Sequence, residues 1–221
     1  MGLAIEVGIL ADLKTADEEG YEYFVSQFEL LNTLLSENGL PRHTEPDDIP
    51  VFGCDMYGYS GLHYLRRIAA HLLVRGQVPD PCDDRPNADP IVEECYDEIG
   101  TMQDARSKEW KRFDHLLCHS DAEGFYVPIE FDEVLFDFDD LGLAGAQLGS
   151  SQKLLSECVA LAQKIGMPTE VAPEDGLFHQ LIEAQGQGDG WHRYGIESYV
   201  CIRLIRAAEH SIKHGAAIVF T

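Results

Sequence analysis

Apolar residues recur at positions i, i+3 and i+4 in several segments, the spacing that places them on one face of an α-helix. The first such helix begins after Asp17, and residues 38–41 (NGLP) end it, because glycine accepts positive φ and proline does not continue a helix. A second helix is predicted between an N-cap at Ser60 and a stop at Gly76. Further helices are predicted at residues 89–99, 150–165, 177–184 and 194–214.

The helix at residues 194–214 is apolar on more than half of its circumference, which is typical of a helix inside a core. We therefore expect Tyr199, Ile202 and Leu204 to be buried against the helices that start at Asp17, Ser60 and Ser151.

Short strands complete the predicted fold. Residues 3–13 fit a strand or a short buried helix, and residues 216–220 (AAIVF) fit a closing strand. Residues 101–112 are polar and fit an exposed helix or a mobile connection. Strands and helices do not alternate as in βαβ units, and there is no glycine-rich phosphate loop and no GxSxG elbow. The sequence predicts one globular domain over residues 1–221, of the α+β class and predominantly helical, with four to five helices and a few short strands.

The net charge of the chain is its most unusual property and bears on which partners it could bind. The chain has 39 acidic and 16 basic residues and a formal net charge of −23. Such a negative field disfavours binding to nucleic acid or to anionic lipid, and it favours basic proteins or simple solubility. Carboxylates gathered on one face would indicate a binding surface, whereas carboxylates spread evenly would indicate solubility alone.

The six cysteines are dispersed, and no two of them form a CxxC pair. The N-terminus is apolar, but it lacks a basic region and reaches Asp12 too early for a signal peptide. No apolar run approaches the length needed to cross a bilayer. We therefore expect a cytoplasmic protein with reduced thiols.

The densest group of ligand-type side chains lies at residues 115–123, in the segment FDHLLCHSDAEGFYVPIEF (residues 113–131). We expect the turn at 119–124 to face residues 54–63 and form one polar cluster. Asp121 and Glu123 would pair with arginines of the Ser60 helix, so Asp121→Asn should lower stability. The candidate ligand-binding residues are Cys54, Asp55, Tyr57, Tyr59, His63, Arg67, His119, Asp121, Glu123 and Tyr126.

The sequence is compatible with three roles for this cluster: a structural network, a partner-binding surface, or the active site of a metal- or Cys/His-dependent hydrolase. His115 and His119 at i, i+4 could chelate a metal with Asp121 or Cys118, and Cys54 could be a thiolate served by a histidine. However, HExxH and paired cysteine ligands are absent, and the acidic run from Asp137 lacks the EF-hand ligands at its fifth and twelfth positions, Leu141 and Leu148. We expect no metal and no cofactor.

The segment at 119–128 (HSDAEGFYVP) resembles the HSD-x-EG…P turn of a family of small bacterial cytoplasmic proteins without an assigned function. The closing helix followed by AAIVF is similar as well. Relatives often carry cysteine where this chain has Ala122. The resemblance implies an immunity-like or accessory protein, and the function favoured at this stage is non-enzymatic binding of a basic protein.

Overall fold

The computed structural model of the protein describes residues 3–58, 60–82, 84–101, 109–171 and 175–221. Within these residues the chain forms eight α-helices and six β-strands. The helices are α1 (Ile9–Leu13), α2 (Glu18–Glu37), α3 (Gly61–Arg75), α4 (Pro90–Thr101), α5 (Asp114–Leu117), α6 (Ser151–Ile165), α7 (Asp175–Glu183) and α8 (Gly195–His214). The strands are β1 (Ala4–Val7), β2 (Phe52–Asp55), β3 (Gly124–Val127), β4 (Leu135–Phe136), β5 (Gln147–Ser150) and β6 (Ile218–Phe220).

The predicted helix-rich α+β class is confirmed. The helix count exceeds the expected four to five, partly because α1 and α5 are only five and four residues long. Residues 3–13 contain both alternatives, a strand and then a short helix, separated by Gly8 with φ +93°. The expected exposed helix or mobile connection at 101–112 lies largely outside the described residues.

Local signals at the helix ends act much as expected. Asp17 accepts a hydrogen bond from the Gly20 N–H at 3.1 Å, and Ser150 accepts one from the Lys153 N–H at 3.4 Å. Gly76 ends α3 at a φ of +70°, which a residue with a Cβ adopts at a cost. Ser60 precedes α3 as predicted, but its side chain makes no capping hydrogen bond and its backbone is already helical.

The strands form one sheet in the order β2-β1-β6-β3-β5-β4. All neighbouring pairs are antiparallel except β3 and β5, which run parallel. The predicted closing strand, β6, therefore lies in the middle of the sheet between β1 and β3. Its side chains alternate, so Val219 faces one layer and Ile218 and Phe220 face the other.

The two faces of the sheet carry two separate cores. On one face α2 packs Phe28, Leu31 and Leu35 against the strands, with the Phe28 and Phe125 rings 5.7 Å apart. On the other face α3, α6 and α8 pack together. The core position of α8 is as predicted, but its expected contact with α2 is wrong, because the sheet lies between them. None of the described helices is long and apolar enough to cross a membrane.

Candidate protein-binding surface

The segment before the 119–124 turn is held in place by Glu157 of α6. Its buried carboxylate accepts hydrogen bonds from the N–H groups of His115 and Leu116, at 3.1 and 2.8 Å. These amides belong to the first turn of α5, where no intrahelical acceptor exists. Burial raises the pKa of Glu157 well above its usual value. Glu157 therefore fixes the start of α5 and, through it, the turn that follows.

The turn does contact the beginning of α3. His63 Nε2 lies 3.0 Å from Asp121 Oδ2, and both side chains are partly exposed. Burial lowers the pKa of His63, with Arg66 adding to this effect and Asp121 opposing it. His63 and Asp121 are therefore two members of the expected polar cluster that the structure does bring together.

The expected pairing of Asp121 and Glu123 with arginines is wrong. Arg66 is buried and donates Nε to the Leu116 carbonyl at 2.8 Å, and Nη2 to the carbonyls of His119 at 2.6 Å and Ser120 at 3.3 Å. Backbone carbonyls at the end of α5 take up this guanidinium because they have no helical partner of their own.

Arg67 points elsewhere. Its Nε donates to Asp89 Oδ2 at 2.6 Å, an oxygen that also lies 2.9 Å from His71 Nε2. Glu123 is exposed on the turn. Arg67 therefore does not belong to one site with the 119–124 turn.

His119 and Tyr126 are buried in the core. Their rings stack with centroids 4.0 Å apart, and the Tyr126 hydroxyl donates to the His115 carbonyl at 2.7 Å. His119 Nδ1 lies 3.0 Å from the Ser120 carbonyl and Nε2 lies 2.9 Å from the Phe125 carbonyl. Burial lowers the pKa of His119 to about 4. The residue fixes the turn and presents no ring nitrogen to solvent.

The geometry does not favour a His115–His119 chelate. His115 is buried, its Nδ1 accepts the Ser150 N–H at 3.0 Å, and its Nε2 faces the Asp132 carbonyl at 3.4 Å. Burial lowers the pKa of His115 to about 4. Within the described ranges, no three histidine, cysteine, aspartate or glutamate side chains are grouped so that they could hold a metal ion.

The remaining candidates lie on and after the edge strand β2. Burial raises the pKa of the Cys54 thiol, against a smaller opposing effect of Arg203, which is the opposite of what the thiolate alternative requires. Asp55 is exposed at the end of this strand. Tyr57 is 40% exposed, with its ring edge-on to Tyr64 at 6.4 Å. Tyr59 lies outside the described residues.

A carboxylate-rich surface lies on α2 instead, and the interpretation of single motifs missed it. Because successive residues turn by about 100° around a helix axis, the glutamates of α2 fall within a sector roughly 100° wide and about 28 Å long. All of them are exposed, and together they form the α2 glutamate row: Glu18, Glu19, Glu22, Glu29 and Glu37.

One exposed ion pair touches this row, between Glu29 and Arg42 at 2.7 Å. In the part of the chain that the structure describes, no lysine or arginine pairs with the other four glutamates. Residues 12–48 carry ten carboxylates and two cations, Lys14 and Arg42, which is a net charge of −8 out of the −23 of the whole chain. The i, i+4 and i+11 spacing of Glu18, Glu22 and Glu29 was the signal in the sequence.

A second acidic segment joins this row. Residues 137–140 (DFDD) form an acidic loop whose base is bound to α2 by Gln27. The Gln27 side chain accepts the Ala144 N–H at 2.8 Å and donates to the Gly142 carbonyl at 3.4 Å. The contact joins residues 117 positions apart in the chain, so no local pattern could predict it. We call the α2 glutamate row and this loop the acidic face.

Asp137 holds the loop in shape. Its carboxylate accepts the N–H groups of Leu141, Gly142 and Leu143, at 2.8, 3.0 and 3.1 Å. These hydrogen bonds lower the pKa of Asp137. Asp139 and Asp140 are exposed beside it, with Asp140 at a φ of +55°. The loop therefore presents its carboxylates from a backbone that is already ordered.

Fold and surface together define a helix-rich α+β protein with a row of exposed glutamates on α2 and an acidic loop near the last of them, Glu37. The chain belongs to the family described as "Putative DNA-mimic protein", which matches residues 1–220. No curated protein and no solved structure matches the chain. The match shows that the chain belongs to an uncharacterised family, which is the coarser part of what the 119–128 resemblance predicted. The description of that family points to binding of a protein partner.

Proposed function

We propose that this protein binds the DNA-binding surface of a basic protein in place of DNA, through the acidic face formed by α2 and the 137–140 loop. The observation that carries the proposal is the gathering of exposed carboxylates on one rigid helix, in a chain that belongs to a DNA-mimic family. The proposal retains non-enzymatic binding of a basic partner and the cytoplasmic setting expected from the sequence.

The charge density of the acidic face approaches that of a nucleic acid strand. The α2 glutamate row gives about one charge per 6 Å of helix, about half the density of one DNA strand at 3.4 Å per phosphate. Asp137, Asp139 and Asp140 of the loop raise this to about one charge per 3.5 Å if they act alongside the row. The loop is therefore a necessary part of the proposed surface.

The cations near this face do not block it. Arg42 and Lys14 form exposed ion pairs with Glu29 and Asp47. Exposed pairs contribute about 0–1 kcal/mol, so lysine and arginine side chains of a partner can replace them at little cost. The net charge of −23 would speed the encounter with such a partner and repel nucleic acid itself.

The position of the charges is tested with two variants of equal net charge. The first carries Glu19→Gln, Glu22→Gln and Glu37→Gln on α2. The second carries Glu93→Gln, Asp97→Asn and Glu98→Gln on α4, which packs on α3 at the other side of the sheet. All six side chains are exposed.

Binding to a purified HMG-box protein and a purified homeodomain is measured by calorimetry at several salt concentrations. We expect the α2 variant to bind at least about tenfold more weakly than the wild type, with a salt slope reduced by up to about three, because each lost charge contact removes roughly one. The α4 variant should bind within about threefold of the wild type. Equal losses in both variants would show that only the overall charge matters and would contradict a dedicated face.

A further inference from the structure

An exposed aromatic side chain lies inside the acidic face. Phe138 is 80% exposed, whereas every other exposed large hydrophobic side chain in the described residues lies between 36% and 48%. Its neighbours in the chain are Asp137 and Asp139. An apolar ring of this size in water, surrounded by carboxylates, adds nothing to solubility and is typical of a contact residue.

The ring of Phe138 is held in place and has a groove beside it. It stacks on Phe136 with centroids 5.5 Å apart and an interplanar angle of 28°. Its N–H donates to the Phe136 carbonyl at 3.0 Å, next to the loop that Asp137 fixes. A groove of about 460 Å³ runs from these rings to Leu34 and Glu37 at the end of α2. That volume admits one or two large apolar side chains.

The carboxylates that line the groove favour a basic partner. Glu37, Glu133, Asp137 and Asp139 line it, and the lysine that lines it, Lys111, is already bound to Glu133. An apolar side chain can enter favourably when lysine or arginine residues on either side of it meet these carboxylates. Some DNA-binding proteins have this arrangement, because they insert an apolar wedge between base steps and contact the phosphates with flanking cations.

We infer that the Phe138 groove receives the apolar wedge of a DNA-binding protein, so that the partner is a protein that kinks DNA by inserting such a side chain. This inference rests on the proposed function and narrows the class of partner. The stacked rings of Phe136 and Phe138 take the place of the bases that the wedge contacts in DNA, and the carboxylates take the place of the flanking phosphates.

The test compares Phe138→Ala with Tyr23→Ala, which removes an exposed ring from α2 outside the groove. The probes are an HMG-box domain, which carries an apolar wedge, the same domain with its wedge residue changed to alanine, and a homeodomain, which has none. Affinities and salt slopes are measured by calorimetry, and the oligomeric state of each protein is measured by sedimentation.

We expect Phe138→Ala to weaken binding to the HMG box about tenfold, as for a central aromatic contact, with an unchanged salt slope. The loss should disappear with the alanine form of the wedge and with the homeodomain, and Tyr23→Ala should bind like the wild type.

Equal affinity of Phe138→Ala and wild type for the HMG box would overturn this inference and leave the proposed function intact. Failure of the wild type to bind any probe at low salt would overturn both. A wild-type dimer that Phe138→Ala dissociates would show that a second copy of the chain fills the groove, and it would overturn the inference as well.

Discussion

Replacing Arg66 with methionine should destabilise the protein by about 3–5 kcal/mol, because each buried carbonyl left without its donor costs about 1–3 kcal/mol. The carbonyls of Leu116 and His119 lose their donor, the Ser120 carbonyl keeps only its contact with His119 Nδ1, and methionine offers no hydrogen bond in return. Chemical denaturation followed by circular dichroism gives the free energy of unfolding.

Two substitutions control this experiment. Arg66→Lys keeps the charge but cannot span the same three carbonyls, so it should lose less than Arg66→Met. Asp121→Asn should cost less than about 1 kcal/mol, because the partly exposed Asp121 pairs with His63 and not with a buried arginine. A loss for Asp121→Asn as large as that for Arg66→Met would mean that the carboxylate, and not the carbonyls, holds the arginine.

Leu204→Ala should destabilise the protein by about 2–5 kcal/mol, the range for truncating a buried leucine. Leu204 is fully buried on α8, the helix that packs on both α3 and α6. Ile212→Ala is the matched control, because Ile212 lies on the same helix and is 36% exposed. That change should cost less than about 1 kcal/mol. If denaturation shows a loss below half a kcal/mol for Leu204→Ala, α8 is peripheral and the two-core arrangement is wrong.

Much of the local structure could be predicted, because its causes are local. Glycines at 76, 166 and 215 end helices with positive φ, and the apolar spacing along α8 indicates its burial. The position of β6 in the middle of the sheet could not be predicted, because strand order depends on contacts between distant segments. The placement of α2 and α8 on opposite faces of the sheet could not be predicted either, because both helices have an apolar face and nothing local shows which core each one joins.

The candidate site was only partly predictable for a related reason. A dense run of histidine, cysteine and carboxylate residues suggested chemistry at 115–123, but whether such groups face solvent depends on packing from far along the chain. Tyr126 stacks on His119, and Glu157 of α6 binds the amides at His115 and Leu116. Both histidines of the 115–123 segment are therefore internal structure. The glutamates of α2 lie on one face because of helical spacing alone, so that surface could have been predicted from the sequence.

The central claim, that the acidic face takes the place of DNA, is tested most directly by competition. A fluorescent DNA duplex of about 20 base pairs is bound to an HMG-box domain, and the unlabelled protein is added while the anisotropy of the DNA is followed. We expect complete release of the DNA, with an apparent Kd for DNA that rises in proportion to the concentration of added protein. The α2 variant should release the DNA only at higher concentration than the α4 variant. A ternary complex in which the domain holds DNA and this protein together would contradict the claim.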